Sequence, residues 1–535
     1  MEQDPTQKKN YSVLIVALLA AFLPLLATIL QVRSFAGRFI YPVDDAYIHL
    51  QLAKNLAQHG TWGVNPGSFG SASSSLLYTL ILAALSAVFG ASAYLPLAVN
   101  SAAAIVLLVA LHRWLREQGL GAGAQLLALL LIIFFTPVPV LVLSGMEHTL
   151  QCLFSFLFLA AFGRWMNSDA PGPLPRQLVL WAVLTATIRY EGLFLVGAAC
   201  LALAWRRRWT TAFILGAISA VPVLLFGIYS VAKGSYFLPN SVLIKSGAAG
   251  LSGGGLVSGI GRIIIEKFTV AASGITLLAT QRLLILLALV FLVFAPFIRR
   301  HRGYCYFLLP LALAAAAHLA LADTGKFYRY EAYLVLCSVA ITVVLLVRAG
   351  SAVWSGQAII YRIVLVGFAG LLALPLVMRS AAAFAKSKRA CLNIYEQQYQ
   401  MAQFVHRYHA SDGLAANDIG AVSYFNQVRL LDLWGLASID VARSRQRGYW
   451  GGPYLDSLAR NRHIKLAIVY DSWMPRDLLS RWTKVGTWII PDNVVCGDDT
   501  VSFYAIDPLD APQLKKELLE YQPLLPHEVS SSIYP

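Results

Sequence analysis

Residues 11–30 read YSVLIVALLAAFLPLLATIL, a stretch without a single charge. At ~1.5 Å of rise per residue, such a run makes a helix about 30 Å long, the thickness of a bilayer's hydrocarbon core. A signal peptide would be apolar too. No convincing small-x-small cleavage site precedes the polar turn at Gln31, however, and many apolar runs follow, so the stretch reads as a first membrane span. The composition agrees. The chain is 58% hydrophobic and 13% charged, where a soluble domain carries about 25% charge.

Working outward, spans are predicted near 11–30, 93–111, 121–141, 147–163, 177–188, 192–205, 211–230, 275–297, 304–321, 332–348 and 361–380, eleven in all. The pair 177–188 and 192–205 is short. It reads as two half-depth helices meeting at Arg189–Glu191, or as one longer broken element. The net charge of +15 does not indicate nucleic acid, because much of the excess flanks apolar runs, where basic residues set topology. Lys8 and Lys9, Arg113 and Arg116, Arg164 and Arg176, Arg206 to Arg208, and Arg299, Arg300 and Arg302 all fall on one side if the N-terminus is cytoplasmic. The expected protein is a multi-pass protein of the cytoplasmic (inner) membrane, with residues 1–380 as the membrane domain and 381–535 as an extracytoplasmic α/β domain. Counting 73–90 as a span would break that register, so it is expected to be a juxtamembrane or partly inserted helix within a first outer loop, 31–92.

The outer face collects the chemistry-bearing residues. Residues 44–58 are predicted to form a helix, with Ile48, Leu52 and Leu56 at i+4 spacing. Asp44 sits where an N-cap belongs and Asp45 in the first turn. Capping needs one acid only, and Asp45 shares a face with His49. Glu147, beside His148, begins the fourth span: it is either a helix N-terminal acid or a second carboxylate of the same cavity. Arg189 and Glu191 interrupt an apolar stretch, where charge is costly unless paired or facing water. Lys326, Arg329 and Glu331 lie at the junction of the ninth and tenth spans, and Tyr236, Asn240 and Lys245 follow the seventh. Basic groups at that level suit a phosphate-bearing lipid headgroup, and the aromatics suit interfacial anchoring or stacking on sugar rings. The Gly/Ser-rich loop 246–261 carries no nucleotide-binding pattern; flexibility is its only implication.

In the polar region, 394–409 is expected to be helical, with strands at 413–417, 464–470, 483–489 and 501–506. Asp418, Asp432, Trp434 and Asp471 fall near strand ends, where turn formation competes with ligand binding as the explanation. Cys391 and Cys496 could form a disulfide in an oxidising compartment. No cysteine–histidine spacing suggests zinc.

The order of these features resembles the GT-C superfamily of integral membrane glycosyltransferases, most of all its lipid-linked-arabinofuranose-dependent group. The resemblance rests on DDAYIHLQLAKNLAQHGTWGVNPG (44–67), SGMEHTLQCLFSF (144–156), IRYEGLFL (188–195), YFLPNSVLIKSG (236–247), FYRYEAYLV (327–335) and NDIGAVSYFNQVRLLDLWGLAS (417–438). It implies that Asp44 or Asp45 acts as catalytic base or positions the acceptor, with a second acidic residue at Glu147, and a polyprenyl-phosphate sugar donor whose phosphate is held by basic residues such as Arg189, Lys245 and Arg329. His49, His148, Glu191, Tyr236, Asn240, Lys326 and Glu331 complete the candidate donor-binding set, and Asp418 and Trp434 are the acceptor-side candidates. Many relatives read Arg-Pro-Glu-Gly where this chain reads Arg-Tyr-Glu-Gly, and Asp323-Thr-Gly-Lys326 is a partial version of a glycine- and acid-rich segment. Some superfamily members bind a divalent metal, Mg or Mn, at the acidic pair and others do not. The expected activity is transfer of a sugar, arabinofuranose by resemblance, to a glycan, glycolipid or protein. A multi-span transporter of a polar solute or lipid-linked glycan is the competing reading, against which stand the long first outer loop and the lack of a clear two-fold repeat.

Overall fold

A computed structural model describes residues 5–168, 172–245, 302–356 and 359–535, with four single positions between 285 and 290. The loop 246–261, most of the expected span 275–297, and Arg299 and Arg300 lie outside the described residues. Eleven helices come first: α1 (Pro5–Ala36), α2 (Asp45–His59), α3 (Leu76–Phe89), α4 (Leu95–Glu117), α5 (Ala122–Phe135), α6 (Val138–Leu143), α7 (His148–Met166), α8 (Arg176–Ile188), α9 (Gly192–Trp205), α10 (Trp209–Ala232) and α11 (Asn240–Lys245). After the undescribed stretch come α12 (Cys305–Leu321), α13 (Ala332–Gly356) and α14 (Ile359–Ile394).

The protein is a polytopic membrane protein, but the span count differs from expectation. Among the described residues, five helices are long and apolar enough to cross a membrane: Tyr11–Ala36, α4, α7, α10 and the stretch Val366–Tyr408. Six further apolar helices are shorter, including α5, α8, α9 and α12. A helix the length of α5 rises only ~21 Å, so apolar composition without length does not make a span. The bend between α8 and α9 falls at Arg189–Glu191, giving two short helices. Helix α3 is short as well; Ser75 caps it by accepting from the Tyr78 amide (3.2 Å), and its buried Tyr78 and Leu82 face inward.

Helix α14 runs unbroken through residue 380, so the expected boundary between membrane and polar regions lies inside a helix. It continues into a π-helical turn, Tyr395–Tyr399, and then α15 (Gln400–Tyr408). Beyond lies a six-stranded mixed sheet, with β1 (Gly413–Ala416), β2 (Arg429–Asp432), β3 (Ile464–Val469), β4 (Thr483–Ile489), β5 (Thr500–Ala505) and β6 (Ser530–Ile533) in the order β2-β1-β3-β5-β4-β6. Strand β1 pairs parallel with β2 and β3, and the remaining pairs are antiparallel. Strands β1 and β3 are almost wholly buried (Leu414, Ala415, Leu466, Ile468), the pattern of interior strands covered on both faces. The sheet and α15 share a core through Phe404, which meets Trp488 and Phe503 at ring distances of 5.7 and 5.4 Å.

Two joins hold this domain to the first loop of the membrane region. The side-chain amide of Asn65 mimics a strand, donating to the Leu430 carbonyl (2.8 Å) and accepting from the Leu430 amide (2.9 Å) on the edge strand β2. The Asp44 carboxylate accepts from the amides of Gly420 (2.5 Å) and Ala421 (2.8 Å) at the start of α16 (Gly420–Tyr424). Asp44 stands at the N-cap position of α2 but makes no cap bond there; its oxygens are committed across the interface instead. Gly420 lies so close that a Cβ would strike the Asp44 carbonyl oxygen.

The expected disulfide is absent: Cys391 and Cys496 are both free. Cys391 is fully buried in the core beneath the first loop, whereas Cys496 donates to Gln398 (3.3 Å), two turns further along the same helical run.

Because the join leaves no room for a side chain, Gly420→Ala should loosen the domain from the membrane region, at a cost of about 1–3 kcal/mol. A lowered Tm and faster proteolysis between the two regions would show it; unchanged values for both would refute the docking geometry.

Candidate functional site

Between the membrane helices and the sheet domain lies a cavity of ≈ 750 Å³. One wall carries Asp44, Asp45, Asp323, Lys326, Arg329 and Tyr330, and the other carries Asp418, Trp434, Trp473 and Cys496. A second, more apolar hollow of ≈ 300 Å³ is lined by Arg189, Tyr190, Glu191, Phe194, Leu238, Val242 and Leu321. The two share Asp323 and Tyr330.

Helix α2 supplies two side chains one turn apart. Asp45 pairs with Arg329 (2.6 Å) while retaining 24% side-chain exposure. His49 is buried, with Nε2 3.4 Å from Glu147 and Nδ1 3.3 Å from the Ser73 hydroxyl. The residue that opens α7, Glu147, is fully buried and accepts from Arg189 (2.5 Å). Arg189 sits in the break between α8 and α9 and turns its other nitrogens onto Glu191 (2.6 and 3.0 Å). Extended backbone at Arg189 stops α8, and this is what lets the guanidinium reach both carboxylates. Buried charges of this kind persist only as a network, since removing one partner strands the other, at a cost of about 3–5 kcal/mol.

Tyr330 was not singled out from the sequence, yet it lies at the centre of this arrangement. The guanidiniums of Arg189 and Arg329 stand 4.9 and 5.5 Å from its ring, and His148 stacks on it at 5.7 Å with 9° between planes. The backbone leading to it is unusual. Gly325, Lys326, Phe327 and Tyr328 all have positive φ (82°, 42°, 59° and 62°). A non-glycine residue there costs roughly 1–2 kcal/mol, and such strain persists only where neighbours enforce it. Here Glu331 accepts from the Gly325 amide (2.9 Å), Arg329 Nε donates to the Lys326 carbonyl (2.9 Å), and Arg379 donates to the Tyr328 carbonyl. Arg379 also pairs with Glu331 (2.6 Å). Glu331 is therefore fully buried and turned toward Arg379, as a strut for the loop rather than part of the cavity wall. Arg379 was missed, although an arginine within an otherwise apolar run was a signal to follow.

The remaining candidates divide. Asn240 is buried with both amide atoms unpartnered, beside Ser241, whose buried hydroxyl is also unpartnered and lines the apolar hollow. Tyr236 lies outside both hollows, half-exposed, its carbonyl accepting from Ser230 (2.6 Å). Lys245 closes α11, and Lys326 is exposed at the cavity rim, 3.8 Å from Asp323. On the opposite wall, Trp434 packs at 4.7 Å from Trp473, with Arg445 3.7 Å above its ring. Its loop is held by Asp432, which accepts from the amides of Trp434 (2.8 Å), Gly435 (3.0 Å) and Ala437 (2.6 Å).

Asp418 accepts from Gln398 and Tyr470, both at 2.8 Å. Burial pushes the Asp418 carboxyl above the usual carboxylate range, and burial together with the neighbouring Asp418 pushes Asp44 well above it. Burial thus favours the protonated form of both carboxyls. Among the described residues, no group of three His, Cys, Asp or Glu is arranged to hold a metal. Asp44 spends its oxygens on amides and Asp45 faces a guanidinium, so these carboxylates as placed do not form a metal cage.

Comparisons with known proteins place the fold. Residues 392–504 match a family described as a domain of unknown function, DUF8728. No curated protein matches. Among solved structures, the oligosaccharyltransferase of Archaeoglobus fulgidus, in complex with zinc and sulfate, is 14% identical at a TM-score of 0.50, covering 94% of this chain and 74% of that one. The same archaeon's oligosaccharyltransferase AglB, with an inhibitory peptide and a dolichol-phosphate, gives 15% and 0.49, covering 94% and 74%. ArnT from Cupriavidus metallidurans, bound to undecaprenyl phosphate, gives 13% and 0.44, covering 92% and 98%. The chain thus shares the overall fold of the Archaeoglobus fulgidus oligosaccharyltransferase, with a helical membrane region followed by a C-terminal α/β domain.

Because Asp44 and Asp418 titrate higher when folded than when unfolded, their contribution to stability is full below about pH 4 and is lost as pH rises through the raised folded values. Asp418→Asn keeps the neutral form at every pH. Its Tm should fall less than the wild type's between about pH 5 and 8; parallel profiles for the two proteins would contradict the raised Asp418 carboxyl.

Proposed function

We propose that this protein is a glycosyltransferase that takes a sugar from a polyprenyl-phosphate donor on the extracytoplasmic side of a membrane. One observation carries the reading: Asp45, a partly exposed carboxylate that holds Arg329, lines a cavity beside two guanidiniums that flank Tyr330. The apolar hollow below, with Arg189 and Glu191 at its head, suits the first prenyl units of a lipid whose phosphate rests at the arginines. The fold shared with the oligosaccharyltransferase and the GT-C-like motifs at 44–67, 144–156 and 188–195 support the same assignment. On the orientation read from the flanking basic clusters, the cavity opens outward.

The chemistry follows from these placements. The acceptor hydroxyl oxygen attacks the anomeric carbon, the bond from that carbon to the phosphate oxygen breaks, and the hydroxyl proton passes to Asp45. The departing polyprenyl phosphate carries the negative charge away, stabilised by Arg189 and Arg329. Asp45 holds Arg329 before reaction. Neutralising Asp45 by the transferred proton weakens that pair just as the phosphate gains charge, so the guanidinium is released toward the leaving group when it is needed. Asp44, with both oxygens on backbone amides, is a positioning residue. Asp418 and Trp434 face the acceptor from the domain side. The donor sugar, arabinofuranose by sequence resemblance, and the choice among glycan, glycolipid and protein acceptors belong to this proposal too. No step here depends on a Mg or Mn ion.

The test supplies the protein in lipid nanodiscs with polyprenyl-phosphate pentoses and hexoses, and follows free polyprenyl phosphate by mass spectrometry. Asp45→Asn should slow donor-specific release by about 10²–10⁴-fold at a temperature where the variant, whose Tm falls because Arg329 loses its partner, is still folded. If Asp45→Asn retains wild-type turnover, or if a polar solute crosses the membrane in an ion-dependent way while no donor binds, the transferase reading fails. Trp434→Ala should raise the acceptor KM several-fold and leave slow donor hydrolysis by water untouched; an unchanged KM would remove Trp434 from the acceptor wall.

A further inference from the structure

A third concavity, of ≈ 440 Å³, lies away from the cavity already described, at the junction of α1 with the sheet domain. Arg38, His406 and Arg407 line it together with Tyr395, Tyr399 and Tyr521, and no acidic residue does. Arg38 follows directly on the left-handed Gly37 that ends α1 (φ 69°). Its guanidinium stands 4.8 Å over the Tyr399 ring and donates to that residue's hydroxyl through one nitrogen. A guanidinium carries five donor N–H groups, and Arg38 is exposed and lines the concavity. Tyr395 and Tyr399 stack at 5.7 Å and 18° because the backbone there is a π-helical turn, a local geometry frequent at functional sites. Arg407 lies one helical face further along α15, two turns from Tyr399 and Gln400.

Two features explain what such a site is for. Helix α1 presents an exposed apolar stripe, Ile15, Leu19, Leu23, Leu26 and Leu30, each half or more exposed and spaced three or four residues apart. That stripe lies on a helix long and apolar enough to cross a membrane, whose end leads through Phe35 to Arg38 at the basic concavity. Second, on the proposed orientation these cations stand on the extracytoplasmic side, where the topology rule gives no reason for basic residues. A cationic, aromatic-walled hollow at the end of an exposed apolar stripe has the chemistry of a headgroup site, since arginine forks match phosphate oxygens.

We propose that Arg38, His406 and Arg407 bind the phosphate of an anionic phospholipid whose acyl chains lie along α1, seating the sheet domain on the membrane surface. This site is separate from the donor cavity and does not depend on the transferase reading.

The test uses the full chain purified in detergent and loaded with dioleoylphosphatidylglycerol or dioleoylphosphatidylcholine, with bound lipid counted by native mass spectrometry. Wild type should retain phosphatidylglycerol in preference to phosphatidylcholine. Arg38→Gln/Arg407→Gln should bind phosphatidylglycerol roughly thirtyfold more weakly, as expected for two cations near a headgroup, while its Tm in detergent confirms a folded chain. Arg38→Lys/Arg407→Lys, which keeps the charge, should restore most of the binding and so exclude a folding defect as the cause. Unchanged phosphatidylglycerol binding in the glutamine variant would overturn the proposal. So would displacement of the lipid by millimolar inorganic phosphate, which would make this a site for free phosphate instead.

Discussion

The Asp44 carboxylate, shared between the amides of Gly420 and Ala421, is the contact on which the rest of the molecule's chemistry depends. The membrane helices alone would present Asp45 and Arg329 on an open, wet surface. The sheet domain closes over them and turns that surface into a cavity with one charged wall and one aromatic wall. Excluding water strengthens every electrostatic contact inside, because the same charges interact more strongly at lower dielectric. The cost is a buried carboxyl beside Asp418, and the structure meets it with four donors: two backbone amides for Asp44, Gln398 and Tyr470 for Asp418.

A second constraint is that charge at the edge of a bilayer must be paired. Arg189 is divided between Glu147 and Glu191, Arg329 takes Asp45, and Arg379 takes Glu331. These pairs differ in what they leave free. Arg379 and Glu331 are spent on holding the left-handed turn 325–328, which aims Arg329 and Tyr330. Of these acids Asp45 keeps the most exposure, 24% against 15% for Glu191 and none for Glu147 and Glu331, and it lines the cavity. Geometry thus separates two neighbouring aspartates that look interchangeable in sequence: Asp44 joins two regions, and Asp45 faces the space where a substrate would sit.

The sequence made the membrane class, the helix at 44–58, the break at Arg189–Glu191 and four of the six strands legible, because each is written in local periodicity or in a charge placed where charge is expensive. Strands β2 and β6 escaped. RLLD and SSSI are four residues each, too short for alternation to register, and they exist only through pairing with neighbours distant in the chain. The span count overshot for a related reason: apolar composition marks burial as readily as lipid contact, and α5, α8, α9 and α12 are apolar but short. Tyr330 went unread because its role comes from long-range contacts; Arg379 stood out as a charge in an apolar run, but its partner Glu331 lies 48 residues away. Asp44 was read as a candidate cap or base because nothing local reveals that Gly420, hundreds of residues away, would claim its oxygens.

The most direct test of the central claim is a structure of the protein with a non-transferable polyprenyl phosphonate sugar. The account predicts the phosphonate between Arg189 and Arg329, the first prenyl units against Phe194, Leu238 and Leu321, and the anomeric carbon facing Asp45 across room for one acceptor hydroxyl. A phosphonate bound away from both arginines, or an anomeric carbon that Asp45 cannot approach, would contradict it.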